Sequence, residues 1–254
     1  MRQCTKILLA GILCAPAFAQ QAWAACDTPD NPIVNCSFES GNFAGWMVQD
    51  LTQPFAALRV EGPGVPPPPD IAGFLSDPPD GAFAALHGWD GNGPGTISIA
   101  QVVTLPVTAT AVAFSYRAAW DLQTFCLNCA QRTFQVRVEP SSGPPETTTV
   151  LTIQPGTSNQ DTGNQQGVVD VSAFAGTTVL ISFEWLVPED LTGPAFFQFD
   201  DVSVEASGSD RASTASAGVN SALDALGAAM QAFCATPPDL RRNNPTFYAG
   251  LCAP

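Results

Sequence analysis

Phe196-Phe197-Gln198-Phe199-Asp200-Asp201-Val202-Ser203-Val204 decides the fold reading. Its aromatic and β-branched residues predict a strand. Period-two alternation then puts Phe196, Gln198, Asp200, Val202 and Val204 on one face. A carboxylate on a core-facing position costs several kcal/mol without a compensating donor or cation. The Asp200-Asp201 doublet therefore demands a partner, and a calcium ion, with its preference for carboxylate and carbonyl oxygens, is the expected one. Arg117 or backbone amides are the alternatives.

Upstream, short apolar runs recur between breaker-rich separators. Strands are expected at Asn31–Phe38, Phe55–Val60, Ala82–Leu86, Thr96–Leu105, Ala109–Ala118, Thr133–Val138, Thr147–Ile153, Gly167–Val171 and Thr178–Val187. Phe134, Val136 and Val138 alternate with Gln135 and Arg137, as in a half-buried antiparallel strand. This spacing predicts an all-β antiparallel sandwich with no helix interrupting it. Pro66 to Pro69 stand in an unbroken row inside a Pro- and Gly-rich stretch from Glu61 to Pro79, which forbids a central strand and predicts an extended surface excursion lying over something.

Three segments are expected. Residues 1–24 read as a secretory signal: Arg2 and Lys6, an apolar run from Ile7 to Ala19, then Ala22-Trp23-Ala24 ahead of Ala25. Residues 25–205 carry the sandwich. Residues 206–254 begin with a small polar linker, followed by Val219, Leu223, Leu226, Met230 and Phe233 at helical spacing and a tail that Cys234 and Cys252 close. The expected location is secreted or extracellular, with the periplasm or cell surface as the bacterial equivalents, and without membrane insertion. Of nine basic residues seven remain after the signal, all arginine, against 23 acidic ones, a net charge near −16. That balance disfavours nucleic acid and anionic membrane surfaces.

Six cysteines remain in the exported chain, an even count that implies disulfides. Their clustering suggests Cys26–Cys36, Cys126–Cys129 and Cys234–Cys252, although six cysteines allow fifteen connectivities. His87 is the only histidine, and no Gly-x-Ser-x-Gly elbow or helical His pair accompanies it, so no enzyme is expected.

Two ligand sites are expected. In His87-Gly88-Trp89-Asp90-Gly91-Asn92-Gly93 the glycines leave the Trp89 ring poorly covered, which makes Trp89, with His87 beside it, a platform for a sugar ring. The other is a polar sheet face carrying Arg117, Gln135, Arg137, Ser182 and Glu184, which is otherwise a solvated outer face. Trp46, Trp120 and Trp185 are assigned to the core by phase or position.

Ser37-Phe38-Glu39-Ser40-Gly41 with Gly45-Trp46, Asp80-Gly81-Ala82-Phe83-Ala84-Ala85-Leu86, Gln101-Val102-Val103-Thr104-Leu105-Pro106, Phe114-Ser115-Tyr116-Arg117, Val169-Asp170-Val171-Ser172 and Phe199-Asp200-Asp201-Val202 form an ordered series. It resembles the galactose-binding-like jelly rolls of exported proteins, including non-catalytic carbohydrate-binding modules, over roughly Ile33 to Glu205. More distantly it is similar to MAM adhesion domains, from which it departs by having Ala44 where a cysteine is expected. The resemblance implies a jelly roll with a structural calcium held by Glu39 and Asp200, with Asp201 as the alternate. It also implies a polysaccharide or glycan ligand. The alternative function is a structural or adhesive cell-surface protein acting through protein contacts.

Overall fold

A computed structural model describes residues 26, 28–66, 74–125, 130–189 and 193–207. The expected signal, the helix, and Cys126, Cys129, Cys234 and Cys252 lie outside them. The described chain forms two antiparallel sheets face to face, as expected of a jelly roll. The first has the order β1 (Met47–Gln49), β4 (Gly95–Thr104), β10 (Thr178–Val187), β6 (Arg132–Pro140) and β7 (Glu146–Ile153). The second runs β2 (Arg59–Glu61), β3 (Ala84–Gly88), β11 (Ala195–Ala206), β5 (Ala109–Asp121) and β8 (Ser158–Asn159), with β9 (Gln165–Asp170) also on β5. Helical structure among the described residues amounts to the single turn α1 (Leu122–Phe125) and a 3-10 turn at Ser172–Phe174.

Alternation builds the core between the sheets. Val179, Ile181, Phe183, Trp185 and Val187 point inward from β10 and meet Phe114 of β5 and Phe197 and Phe199 of β11. Phe183 and Phe199 lie 4.5 Å apart between ring centroids and Phe134 stacks on Trp185 at 4.9 Å, distances at which aromatic pairs add to simple burial. Trp46 and Trp185 are core residues as their phase required, while Trp120 is half-buried at the rim.

The opening stretch is a strand, but its phase reverses midway. Phe196, Gln198 and Asp200 face out of the sandwich, whereas Val202 and Val204 face in. From Asp200 to Ser203 β11 advances three residues while β5 advances two, Ser115 to Ala113. The extra residue is a β-bulge at Asp201, whose φ of 54° is left-handed. The carboxylate of Asp200 therefore does not share a face with the valines, and its burial arises outside the main core.

What buries it is the excursion. Residues 74–80 lie over the outer face of the second sheet, where Phe74, with Phe55, packs on Phe196, Leu86 and Ala119 as a second, smaller apolar cluster. Gln198 locks this layer: its Oε1 accepts the Asp77 N–H at 2.7 Å and its Nε2 donates to the Asp77 carbonyl at 2.8 Å.

The expected entry strand at Asn31–Phe38 is instead a series of turns. Left-handed φ values at Asn35 (52°) and Phe38 (59°) prevent continuous extension. Three features hold the segment without a ladder. Cys26 and Cys36 are disulfide-bonded as expected, Val202 N–H donates to Cys36 O at 2.9 Å, and the Gln101 amide bonds Val34 N at 2.8 Å and Val34 O at 3.0 Å. Gln101 is buried and takes the place of a neighbouring strand.

Gln101→Leu keeps the volume and leaves two part-buried backbone groups of Val34 without their partner. We expect a loss of about 1–3 kcal/mol in urea unfolding, with faster amide exchange confined to residues 31–46. An unchanged midpoint with unchanged exchange would refute this role.

Candidate functional site

Beneath the excursion, carboxylates converge at the bulge. Asp200 Oδ1 accepts the N–H of Asp201 at 2.8 Å and Oδ2 that of Asp80 at 3.3 Å, so backbone amides supply part of its compensation. Arg117 does not supply the rest; its guanidinium is committed to Asp161 by two 2.7 Å hydrogen bonds. Burial, with the charges of Asp80 and Asp201 adding to it, pushes the Asp200 carboxyl up to about 9 against the pull of those two amides. Asp201 is raised as well, by burial and then by Asp80. Asp80 Oδ2 is buried without a hydrogen-bond partner.

Oxygens of Asp80 and Asp201 lie within 4.8 Å of each other and of Cys26 Sγ. The sulfur belongs to a disulfide and is no thiolate ligand. Glu39 reaches the same loop from the turn segment, its Oε1 accepting the N–H groups of Ala82 at 2.8 Å and Phe83 at 2.9 Å. Gly81, at φ +67°, allows this approach, because a Cβ there would collide with the Glu39 carboxyl. The structure thus brings Asp200, Asp201 and Asp80 together and places Glu39 on the loop that carries Asp80. Asp80 was not among the expected ligands. Its signal is its position, directly before Gly81 in a quoted motif and on a glycine-led turn.

The expected ligand residues separate. Trp89 is 0% exposed: its indole N–H donates to Leu186 O at 3.2 Å and its ring meets Phe197 edge-on at 5.6 Å. The flanking glycines do not bare the ring, which lies in the main core; they let segment 53–56 approach the loop backbone, where a Cβ on Gly88 would meet Ala56 and one on Gly91 would meet Pro54. A fully covered ring offers no platform. His87 is also buried, on β3, between Trp185 at 4.6 Å and Phe197 at 5.7 Å. Burial lowers it to about 3, so it is a neutral core imidazole.

Arg117 leaves the expected polar face, because β5 belongs to the second sheet. There it clamps the excursion, with Nη1 donating to Leu75 O at 2.8 Å and Cζ over the Phe74 ring at 4.6 Å.

The other four residues do share a face, the outer side of the first sheet. Register aligns Gln49, Ser98, Glu184, Gln135 and Thr149 in one row across all five strands. The adjacent row is Met47, Ala100, Ser182, Arg137 and Thr147. Gln135 Nε2 donates to Glu184 Oε2 at 2.8 Å, and Arg137 pairs with Glu139 at 3.0 Å. Gln49, Thr147 and Thr149 extend the site beyond the residues singled out in the sequence. Only strand order could have added them. Arg132, wholly buried between Asp90 (3.3 Å) and Glu189 (3.5 Å), is a further charged cluster that alternation conceals.

No family model matches the chain, and no curated protein matches it. Solved structures do. A CBM61 module in complex with β-1,4-galactotriose is 15% identical at a TM-score of 0.42, over 69% of this chain and 98% of that one. CBM28, described as specific for non-crystalline cellulose, is 13% identical at a TM-score of 0.43, covering 69% and 95%. The K1 cleaved adhesin domain of Lys-gingipain from Porphyromonas gingivalis W83 is 19% identical at 0.38, covering 68% and 96%. Among the described residues no helix is long and apolar enough to cross a membrane.

His87 gives the fold an acid-side weakness. Its folded value of about 3 lies below the ordinary 6.5, so the unfolded chain takes up the proton first and stability falls as pH drops from about 6.5 toward 3. His87→Leu should flatten that part of the stability curve relative to wild type, as read by urea midpoints across the range. Parallel curves would contradict it.

Proposed function

We propose that this protein is a secreted, non-catalytic module that binds an extended carbohydrate, or another hydroxyl-rich extracellular polymer, across the outer face of its five-stranded sheet. The observation that carries the reading is the row Gln49, Ser98, Glu184, Gln135 and Thr149. Five strands at ~4.8 Å spacing give the row a length of about 19 Å. Ser98 is buried within the row, and the amides of Gln49 and Gln135, the Glu184 carboxylate and the Thr149 hydroxyl are its accessible groups, the mixture of donors and acceptors that a chain of sugar hydroxyls requires. The Gln135–Glu184 bond orients two of these groups in advance, and Arg137 adds a fixed donor in the next row.

A structural calcium is the second part of the proposal. The chemistry of the donor set fits one: two raised carboxyls, an unpartnered buried Asp80 oxygen and a carboxylate-rich turn are what a hard cation neutralises. Asp80, Asp200 and Asp201 would hold it, with Glu39 setting the loop that carries Asp80. Bound there, calcium would supply positive charge that allows Asp200 to ionise. Without it, Asp200 keeps a proton up to about pH 9.

A glycan array probed with the exported chain should show binding to at least one polysaccharide. Gln135→Ala should weaken that binding roughly tenfold with an unchanged melting point, in line with one lost hydrogen bond to a ligand. Failure to bind any polysaccharide, with or without calcium, would overturn the reading.

Calcium and protons compete for Asp200. Its folded value is raised, so the chelated protein loses stability as pH climbs from about 4 to about 9, and calcium removes that loss. The calcium-induced rise in melting temperature should be larger at about pH 8 than at about pH 5 and absent in Asp200→Ala. A hundredfold excess over Kd corresponds to about 2.7 kcal/mol. A melting point indifferent to calcium at both pH values would remove the ion from the proposal.

A further inference from the structure

The outer face of the first sheet is polar in its middle and apolar toward one end. Val102 and Leu180 are register partners there, and Ala100 stands two residues from Val102 on the same side. All three point away from the sandwich core: their strand neighbours Ile99, Val103, Val179 and Ile181 are the ones that belong to it. They are nevertheless 0% (Ala100), 3% (Val102) and 3% (Leu180) exposed, and they join neither apolar cluster of the described residues. Glu139, beside Leu180 on β6, is buried as well. Outward side chains of an outer sheet reach such values only beneath another layer.

The chain supplies one. Its described part ends at Ser207, whose N–H donates to Thr108 O at 2.8 Å. Thr108 follows β4 in the turn to β5, and Thr104 and Thr178, the next outward pair beyond Val102 and Leu180, mark the same end of the sheet. The chain therefore leaves beside the apolar end. Forty-seven residues follow it. Positions 208–218 are small and polar and can span up to about 36 Å, more than the ~10 Å between sheets that must be crossed. Next come Val219, Leu223, Leu226, Met230 and Phe233, one apolar stripe on a helix of about 24 Å.

We propose that Val219–Cys234 forms a helix that docks its apolar stripe on Ala100, Val102 and Leu180, sealing the apolar end of the outer face. The stripe and the patch are each incomplete alone: one is an amphipathic helix with a face to bury, the other a set of outward apolar positions that are already covered. The inference is independent of whether the polar row binds a glycan.

Hydrogen exchange read by mass spectrometry on the full chain tests it. Amides of 219–234 should exchange at least roughly tenfold more slowly than those of the 208–218 linker. Leu180→Glu should abolish the difference. Leu223→Glu with Met230→Glu should do the same while leaving amides of β4, β6 and β10 protected, which separates undocking from unfolding. Absence of protection in wild type would overturn the proposal. So would release of residues 7–19 in place of 219–234 by Leu180→Glu, which would make the N-terminal apolar run the occupant. Protection that vanishes on dilution in step with a change in mass would assign the stripe to a second copy and equally refute it.

Discussion

One extra residue at Asp201 governs how this sandwich is used. Before the bulge, odd-numbered residues of β11 feed the core with Phe197 and Phe199; after it, even-numbered ones do so with Val202 and Val204. The shift leaves Asp200 outward, in phase with Phe196 and Gln198, and turns Val202 and Val204 inward, while the left-handed Asp201 donates its N–H to Asp200 Oδ1. Without the bulge, Val202 and Val204 would share the outer face with Asp200 instead of filling the core. With it, the carboxyl sits in a polar seam between the sheet and residues 77–83, where backbone N–H groups and neighbouring carboxylates compete to set its charge.

That competition makes the charge of the seam depend on pH. As pH rises, Asp200 and Asp201 ionise in a partly dehydrated volume where the Asp201 and Asp80 amides and the Ser115 side chain are the donors that oppose burial. The Gln198 clamp on Asp77 and the Arg117 clamp on Leu75 hold the excursion through neutral and already paired groups, so they are insensitive to the same titration. His87 acts with the opposite sign from inside the core. The fold is thereby weakened at both ends of the pH scale by two separate groups, each buried for a different reason.

Most strands were legible, because Phe134-Gln-Val-Arg-Val and Thr178-Val-Leu-Ile-Ser-Phe-Glu-Trp-Leu-Val carry the alternation that a half-buried sheet imposes. The Pro-rich excursion was legible as a covering loop for the same reason that it could not be a strand. What escaped was non-local. The bulge is invisible to alternation, because Asp200-Asp201 continues the pattern in type and breaks it only in φ. Trp89 was misplaced because its glycines suit two opposite situations, an open loop and a close backbone approach, and only the partner segment at Gln53–Ala56 distinguishes them. Arg117 and Arg137 look alike along the chain, each one step out of phase with aromatic or aliphatic neighbours. Strand order alone sends one to each sheet.

The two outer faces have become unlike through this arrangement. On the second sheet, Phe196, Gln198 and Asp200 are satisfied by the chain's own excursion, and Arg117 is spent on holding it down; that surface is internal in all but position. On the first sheet, Gln49, Ser98, Gln135, Glu184 and Thr149 remain in register across five strands with no described segment hydrogen-bonded over them apart from their own mutual contacts. The division of that face into an apolar end and a polar middle then separates two tasks: the apolar end is suited to a permanent intramolecular cover, since desolvated apolar contact is strong and non-directional, while directional groups in the middle are suited to a ligand that comes and goes.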